Sequence, residues 1–415
     1  MDKSMINANS KIEKKKSNAV CTIVSKNYLA YAKVLANSVK VSNPDLDFYL
    51  LIVDRKDSEL KVEGINIVWV EDLDIEDFEK VAFKYNILEL NTNVKPTFLL
   101  ELLKNHDKVV YLDPDIFVFS SLHQIYDELE DYSITLTPHI LNLNPKYSVD
   151  EELHLLSSGC YNLGFVGVNN SSQSIEFLKW WEVRCLHSAY DEIENGMFVD
   201  QKWINLIHSG FDSVKILRNC GMNVAYWNYH ERSLSLSLTN DAVYVNEKTP
   251  LVFFHFSGLT DSTEVLSKYK PGLRIKDSDV IYGMLANYKE MLEKMQHSTM
   301  KKLPYTFGTF SNGDEINSFT RRIYASLNES FSKNPFDGNG EFYKFSQAKN
   351  LISKKNNKNS SSLNSKNYKQ SKQFKIIIKL FKLAFSVLGV QRYDVLMKFL
   401  RKSTTIRNQA WLFDR

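Results

Sequence analysis

From Val109 to Phe119 the chain reads Val-Val-Tyr-Leu, then Asp-Pro-Asp, then Ile-Phe-Val-Phe. The first apolar run has no polar residue alternating through it. It therefore suits a strand buried on both faces, as in the parallel part of an α/β sheet, and not a half-solvated hairpin strand. Where the run stops, Asp113 and Asp115 flank Pro114, whose ring fixes one φ and stiffens the link between the two acids. Ligands of open α/β sheets gather outside the carboxyl ends of such strands. Two carboxylates this close repel each other unless a cation neutralises them. Hard oxygen ligands suit Mg²⁺ or Mn²⁺, ions that usually accompany substrate phosphates. An acidic turn between two strands has the same spelling, but the apolar strands on both sides favour a site.

The flanking sequence supports an α/β fold. Ala19–Val24 is an apolar strand, Tyr31, Val34, Leu35 and Val39 have helical spacing, and Phe48–Val53 is a second apolar strand ending at Asp54. That is strand, helix, strand, the opening of a parallel sheet. Ile65–Val70 reads as a third strand. Lys95-Pro96 starts a helix through Leu103, with proline in the tolerated first turn. Ser133–Thr137 and Tyr161–Asn169 read as strands, the latter with two glycines where backbone approaches something closely. Ile175–His187 and Val199–Ile207 read as helical, and Leu251–Phe256 as a last apolar strand running into His255-Phe256-Ser257-Gly258.

The apolar content of 43% supplies a sizeable core. Cys21, Cys160, Cys185 and Cys220 are widely spaced and form no C-x-x-C pair, which points to reduced thiols and against a zinc or disulfide framework. Residues 1–18 are polar and Lys-rich, without the apolar core of a signal peptide, and are expected to be disordered. No stretch is long and uncharged enough to span a bilayer. The net charge of +3 conceals a division: residues 344–415 carry 17 Lys and Arg against two acids, leaving residues 1–343 at −12. A basic tail on an acidic body suggests an anionic contact for the tail.

We expect four segments: the N-terminal 1–18, a catalytic domain over 19–345, a Lys/Asn/Ser-rich linker over 346–373, and a basic helical segment over 374–415. In Phe374–Leu388, Lys375, Lys379 and Lys382 fall with Lys372 and Ser386 on about a quarter of the helical circumference, the rest being Ile, Leu, Phe and Val. Gly389 is placed to end this helix. Such a helix lies in a membrane interface, with basic residues against anionic lipid. The same apolar face also suits packing on protein. Nucleic acid is a poorer partner, because the aromatics sit in the apolar helix and do not interleave with the linker lysines.

From about Ala19 to Lys276 the chain resembles the GT-A-fold nucleotide-sugar glycosyltransferases, and within them the glycogenin and bacterial lipopolysaccharide galactosyltransferase group. The features occur in the same order: Ile23-Val24-Ser25 with its helix, Tyr111-Leu-Asp-Pro-Asp-Ile116, Tyr161-Asn-Leu-Gly-Phe-Val-Gly-Val-Asn169, Asp200-Gln201 with Asn205 behind, and His255-Phe-Ser-Gly258. The resemblance implies a Rossmann-like mixed sheet flanked by helices, with a basic, partly disordered helical extension. It implies Asp113, Asp115 and His255 as ligands of Mn²⁺ or Mg²⁺, with Asp113 also facing the nucleotide sugar. Ser25, Asn27 and Asp54 would meet base and ribose, Gly258 would let backbone reach the diphosphate, and Lys95 would contact donor sugar or phosphate. Asn162, Asp200 and Gln201 would face the transferred sugar and the incoming hydroxyl. Two departures stand out. Ser25-Lys26-Asn27 replaces a frequent acidic residue, and the Lys-Pro-Trp that often follows the last glycine is missing, leaving Lys268, or Lys270-Pro271, to supply a cation.

The implied reaction is retaining transfer of a hexose from a nucleotide diphosphate sugar, a UDP-sugar being favoured, to a glycan acceptor. With the basic tail, the expected acceptor is lipid-linked, as in lipopolysaccharide, capsule or undecaprenyl-linked oligosaccharide synthesis, on the cytoplasmic face of the inner membrane through residues 374–402. The alternatives are a nucleotidyltransferase acting on a sugar phosphate, against which the missing glycine-rich phosphate loop counts, and a non-catalytic sugar-binding protein.

Overall fold

A computed structural model describes residues 17–143, 149–237, 242–327, 330–331, 333–352 and 372–413. Its strands relevant to the site are β1 (Ser17–Val24), β2 (Asp47–Ile52), β3 (Asn66–Trp69), β4 (His106–Leu112), β5 (Ile116–Val118), β6 (Ile134–Pro138), β7 (Tyr161–Asn169), β8 (Val214–Ile216) and β9 (Phe253–His255). Seven of them form one sheet in the order β8-β6-β7-β4-β1-β2-β3. β1 runs parallel to β2 and β4, and β2 parallel to β3. β7 is antiparallel to both β4 and β6. This is the mixed sheet flanked by helices that the sequence led us to expect, and the apolar run ending at Leu112 is parallel to one neighbour and antiparallel to the other. Only the parallel side satisfies the simple inference from a non-alternating strand; burial by helices on both faces explains the run equally well.

The chain leaves β1 toward β2 on one side and returns through β4 on the other. The carboxyl ends of β1 and β4 therefore border the crevice where strand order reverses, the position at which open α/β sheets bind ligands. Ser25 follows β1 and Asp113 follows β4. Beneath them, Val20, Val110, Leu112 and Phe165 pack with Leu35 and Val39 of helix Leu29–Ser42 and Ile125 and Leu129 of helix His123–Asp131. At the other end of helix Leu29–Ser42, Leu29 and Ala32 pack with Val24, Leu50, Ile52 and Trp69.

The described residues gather into two compact units, one within 1–75 and 88–305, the other within 76–87 and 306–415. Residues 306–345, expected to continue the first domain, thus pack in the second unit. That unit has an aromatic core in which Phe83 meets Tyr324, Phe336 and Phe342 with ring centroids 4.8, 4.9 and 5.3 Å away. Within the same unit, buried Arg321 donates to the carbonyls of Phe83 and Tyr85 at 3.1 and 2.8 Å, satisfying the open C-terminal end of helix Phe78–Lys84.

Three boundaries differ from expectation. The helix expected over Val199–Ile207 is a 3₁₀ segment, Gln201–Ser209, which starts after Val199, whose φ of 41° lies outside the right-handed helical region. The last strand is shorter, Phe253–His255, with Leu251 and Val252 buried before it. The C-terminal helix begins at Lys372 and resumes after Gly389, where φ 70° and ψ 169° interrupt it, and ends at Ser403. The expected disordered stretch of 1–18 lies outside the described residues up to 16, while Ser17 and Asn18 belong to β1. Of the expected linker, 353–371 lie outside the described residues and 346–348 end helix Glu341–Ala348. No described helix is long and apolar enough to cross a membrane.

Candidate active site

The strand pair β5–β9 assembles the site's centre. It is antiparallel, with His255 opposite Ile116, so the imidazole stands beside the residue preceding Ile116, which is Asp115. Phe256 N–H donates to the Asp115 carbonyl at 2.8 Å and locks that register. Asp113 is fixed from the other side: its N–H donates to the Gly164 carbonyl at 2.8 Å, and the Tyr111 hydroxyl donates to its Oδ1 at 2.6 Å. His255 Nε2 then lies 2.9 Å from Asp115 Oδ1 and 3.7 Å from Asp113 Oδ2. One ligand atom from each of the three residues falls within 4.8 Å of the others. Two carboxylates and an imidazole at that spacing fit a hard or borderline divalent cation, whose bonds run to about 2.0–2.6 Å. Burial pulls the His255 imidazole down, but the carboxylates of Asp115 and Asp113 outweigh it and hold it above the ordinary histidine value. The absence of a side chain at Gly164 is part of the same geometry, since a methyl there would sit 2.5 Å from His255 Cε1 and 2.8 Å from Asp113 Oδ2.

A second cluster adjoins the first through Tyr111. Lys95 and Asp200, both almost fully buried, form an ion pair at 2.6 Å, and Lys95 Nζ also donates to the Leu163 carbonyl at 2.7 Å. The same ammonium lies 4.3 Å from the Tyr111 ring centre. Burial pushes the Asp200 carboxyl up, opposed by the Lys95 charge and hydrogen bond. Sequence reasoning gave these two residues separate contacts with the donor; the structure makes them partners. Gln201 is braced across β7, its Oε1 accepting from Leu163 N–H at 3.1 Å and its Nε2 donating to the Ser158 carbonyl at 3.0 Å. Asn162 is also engaged, its Oδ1 accepting from Gly164 N–H at 3.1 Å.

The remaining expected residues line the ends of β1 and β2 or follow β9. Ser25 Oγ donates to the Val53 carbonyl at 3.0 Å, and Asp54 accepts from Lys26 N–H at 2.7 Å, tying the two strand ends together. Asn27 keeps a buried Oδ1 without a hydrogen-bond partner among the described residues. Gly258 has a φ of 73°, and a side chain there would collide with Ser267 Oγ at 2.4 Å. Its carbonyl accepts from Lys268 N–H at 2.8 Å, which brings Lys268 next to it in space, whereas Lys270 is paired with Glu151 at 2.9 Å. Of the two cations named from sequence, Lys268 thus adjoins Gly258 and Lys270 is engaged with Glu151.

Several participants escaped the sequence reading. Tyr111 passes for a core residue of β4, and only its position two before Asp113 hints that its hydroxyl reaches the carboxylate. Asn223, His139 and Trp227 lie in loops with no motif spacing. Trp227 sets its ring edge-on to both His139 and His255, with centroids 5.5 and 5.1 Å apart. Tyr28, 45% exposed, stacks on Tyr31 at 4.8 Å.

No family model matches the chain. Two uncharacterised proteins of Bacillus subtilis (strain 168) are each 28% identical to it. YfnF aligns over 251 residues, 58% of this chain and 82% of its own length. YfnD aligns over 288 residues, 66% of this chain and 90% of its own length. Among solved structures the chain is similar to the galactosyltransferase LgtC in complex with donor and acceptor sugar analogues, at 19% identity and a TM-score of 0.41, over 66% of this chain and 95% of that one. It is similar to the glycosyltransferase GlyE of Streptococcus pneumoniae TIGR4 at 15% identity and a TM-score of 0.40, over 71% of this chain and 67% of that one. The bifunctional glycosyltransferase WbbM gives 14% identity and a TM-score of 0.41, over 70% of this chain and 52% of that one.

Proposed function

We propose that the chain is a glycosyltransferase that moves a hexose from a nucleotide diphosphate sugar to a glycan acceptor, using a divalent cation. The observation that carries this reading is the convergence of Asp113, Asp115 and His255, which come from β-strand ends far apart in sequence, on one point at the carboxyl edge of the sheet. A Mg²⁺ or Mn²⁺ ion held by these three residues would neutralise charge developing on the diphosphate leaving group. Lys268, exposed beside Gly258, supplies a second positive charge to the diphosphate, and the positive φ of Gly258 turns the backbone there. Ser25, Asn27 and Asp54 border the nucleotide, the free Oδ1 of Asn27 offering an acceptor to the base or ribose. Lys95, Asp200 and Gln201 form the floor of the sugar subsite. Asp200, paired with Lys95 at 2.6 Å, stabilises positive charge on the sugar ring. Among the described residues no further carboxylate is placed as a nucleophile, so we favour front-face substitution with retention, near Gln201.

The acceptor is a glycan on lipid, a cytoplasmic-face substrate met through helix Lys372–Ser403. On that helix Ile376, Leu380 and Leu383 are 58, 59 and 62% exposed, beside Lys375, Lys379 and Lys382. Exposed Ile and Leu next to lysines complement an anionic bilayer surface. A screen of nucleotide sugars for Mn²⁺-dependent donor hydrolysis tests the reading. At least one UDP- or GDP-sugar is expected to be cleaved by the wild type and spared by Asp115→Ala. Release of pyrophosphate from nucleoside triphosphates instead would make the chain a nucleotidyltransferase.

A further inference from the structure

Asn223 is fully buried and polar, and it sits with a φ of 54° in the loop that leads toward β9. Asparagine tolerates this left-handed backbone better than most residues. The loop is anchored: Asn228 Nδ2 donates to the Asn223 carbonyl at 2.9 Å, and His255 N–H donates to the Val224 carbonyl at 2.8 Å. What the Asn223 amide does follows from one group whose role is never ambiguous, a backbone N–H.

Gly164 N–H donates to Asn162 Oδ1 at 3.1 Å, which establishes the oxygen end of the Asn162 amide. The nitrogen end then points at His139 Nε2, 3.3 Å away. The Asn162 oxygen also accepts from Asn223 Nδ2 at 3.0 Å, and that nitrogen donates as well to Thr137 Oγ1 at 2.9 Å. With its nitrogen so committed, Asn223 presents Oδ1 to His255 Nδ1 at 3.3 Å. An amide oxygen only accepts, so Nδ1 must carry the hydrogen. The other nitrogen is Nε2, the atom facing Asp115 and Asp113. A carboxylate oxygen at 2.9 Å also only accepts, so Nε2 carries a proton while no cation is bound. A cation held there would displace that proton and take the Nε2 lone pair. Trp227, edge-on to both imidazoles, blocks rotation of the His255 ring out of this line.

We infer that Asn223 is a positioning residue which, through the relay from Gly164 to Asn162 to Asn223, holds His255 in the Nδ1–H tautomer with the Nε2 lone pair aimed at the cation. This rests on the reading of His255 as a metal ligand, and it shifts Asn162 from contact with the sugar to support of the ligand. Metal-binding imidazoles are generally oriented by an acceptor on their other nitrogen, and losing that acceptor lowers metal affinity about 10- to 100-fold.

The test has two readouts on the full-length chain. The first is ¹⁵N NMR of imidazole-labelled wild type saturated with diamagnetic Mg²⁺, with His255→Gln used to assign the signal. A proton on Nδ1 is expected, and a proton on Nε2 overturns the inference whatever the variants do. The second is Mn²⁺ affinity, by paramagnetic resonance of the free ion. Asn223→Gly, which suits the positive φ but has no amide, is expected to bind about 10- to 100-fold more weakly. Undiminished affinity in Asn223→Gly overturns the relay while leaving the metal reading intact. If wild type, Asp115→Ala and His255→Ala bind Mn²⁺ equally, the metal reading falls instead, and the presence or absence of a proton on Nδ1 still judges the contact with Asn223.

Discussion

Gly164→Ala should separate the metal site from the stability of the sheet. Gly164 lies in an extended strand and has no positive φ, so alanine adds a methyl group without straining the backbone. That methyl would lie 2.5 Å from His255 Cε1 and 2.8 Å from both Asn162 Oδ1 and Asp113 Oδ2. Carbon atoms pack at about 3.5–4.0 Å, so the overlap with the imidazole is roughly 1 Å. The ring cannot retreat freely, being held by Asn223 at 3.3 Å and by Trp227, nor can Asp113, held by Tyr111 at 2.6 Å. Overpacking of this kind costs about 1–3 kcal/mol. Metal sites tolerate ligand displacements of only about 0.2 Å, so much of that penalty should fall on the bound state. A share of about 1.4–2.7 kcal/mol is a 10- to 100-fold loss of Mn²⁺ affinity. Gly167→Ala is the control, on the same strand but the opposite face. Its methyl would meet Thr135 Oγ1 at 2.4 Å and Leu129 Cδ1 at 3.2 Å, away from the ligands. It should lower the melting temperature by about 2–4 °C per kcal/mol of overpacking and leave Mn²⁺ affinity alone. Calorimetric Mn²⁺ titration and thermal melts of both variants decide the matter. Wild-type affinity in Gly164→Ala, or an equal loss in Gly167→Ala, refutes the reasoning.

Lys95→Met strands the Asp200 carboxylate in a buried site and should destabilise the chain by about 3–5 kcal/mol in denaturant unfolding. Lys95→Met with Asp200→Leu should recover most of that stability, and a double variant no better than the single one speaks against an ion pair. Burial pushes the His139 imidazole down from 6.5 to about 4. The unfolded chain therefore binds a proton at higher pH than the folded one, and stability present above pH 6.5 is lost as pH falls toward 4, by up to about 3 kcal/mol. His139→Gln should flatten that acid limb; an unchanged profile excludes His139 as its source. Glutamate at Ile376, Leu380 and Leu383 together should abolish flotation with anionic liposomes, and flotation equal to wild type removes the membrane role of the helix.

The strands that carry the site were legible because their apolar runs end abruptly in chemistry-bearing residues: Val109–Leu112 at Asp113, Ile23-Val24 at Ser25, Phe253-Phe254 at His255. Tyr161–Asn169 is found with the expected limits, its Leu163, Phe165, Val166 and Val168 suiting a strand buried between β4 and β6. What sequence could not reveal depends on contacts between distant residues. Lys95 and Asp200 are 105 positions apart, and nothing local to either shows that they neutralise each other. Asn223 sits in a loop whose left-handed turn has no sequence signature beyond an asparagine after Gly221. The later start of Gln201–Ser209 goes with the positive φ of Val199, a β-branched residue from which such a conformation is not anticipated. The packing of residues 306–352 with 76–87 depends on Phe83 and Arg321, which read singly as an ordinary helix residue and an ordinary surface cation.

The central claim, that Asp113, Asp115 and His255 together hold one cation that grips a nucleotide diphosphate, is tested most directly by calorimetric titration with UDP and GDP in the presence and absence of Mn²⁺. At least one nucleotide should bind wild type only when Mn²⁺ is present, and neither should bind Asp115→Ala or His255→Ala under the same conditions. Binding of equal strength with and without Mn²⁺, or binding undiminished in both variants, would contradict the account.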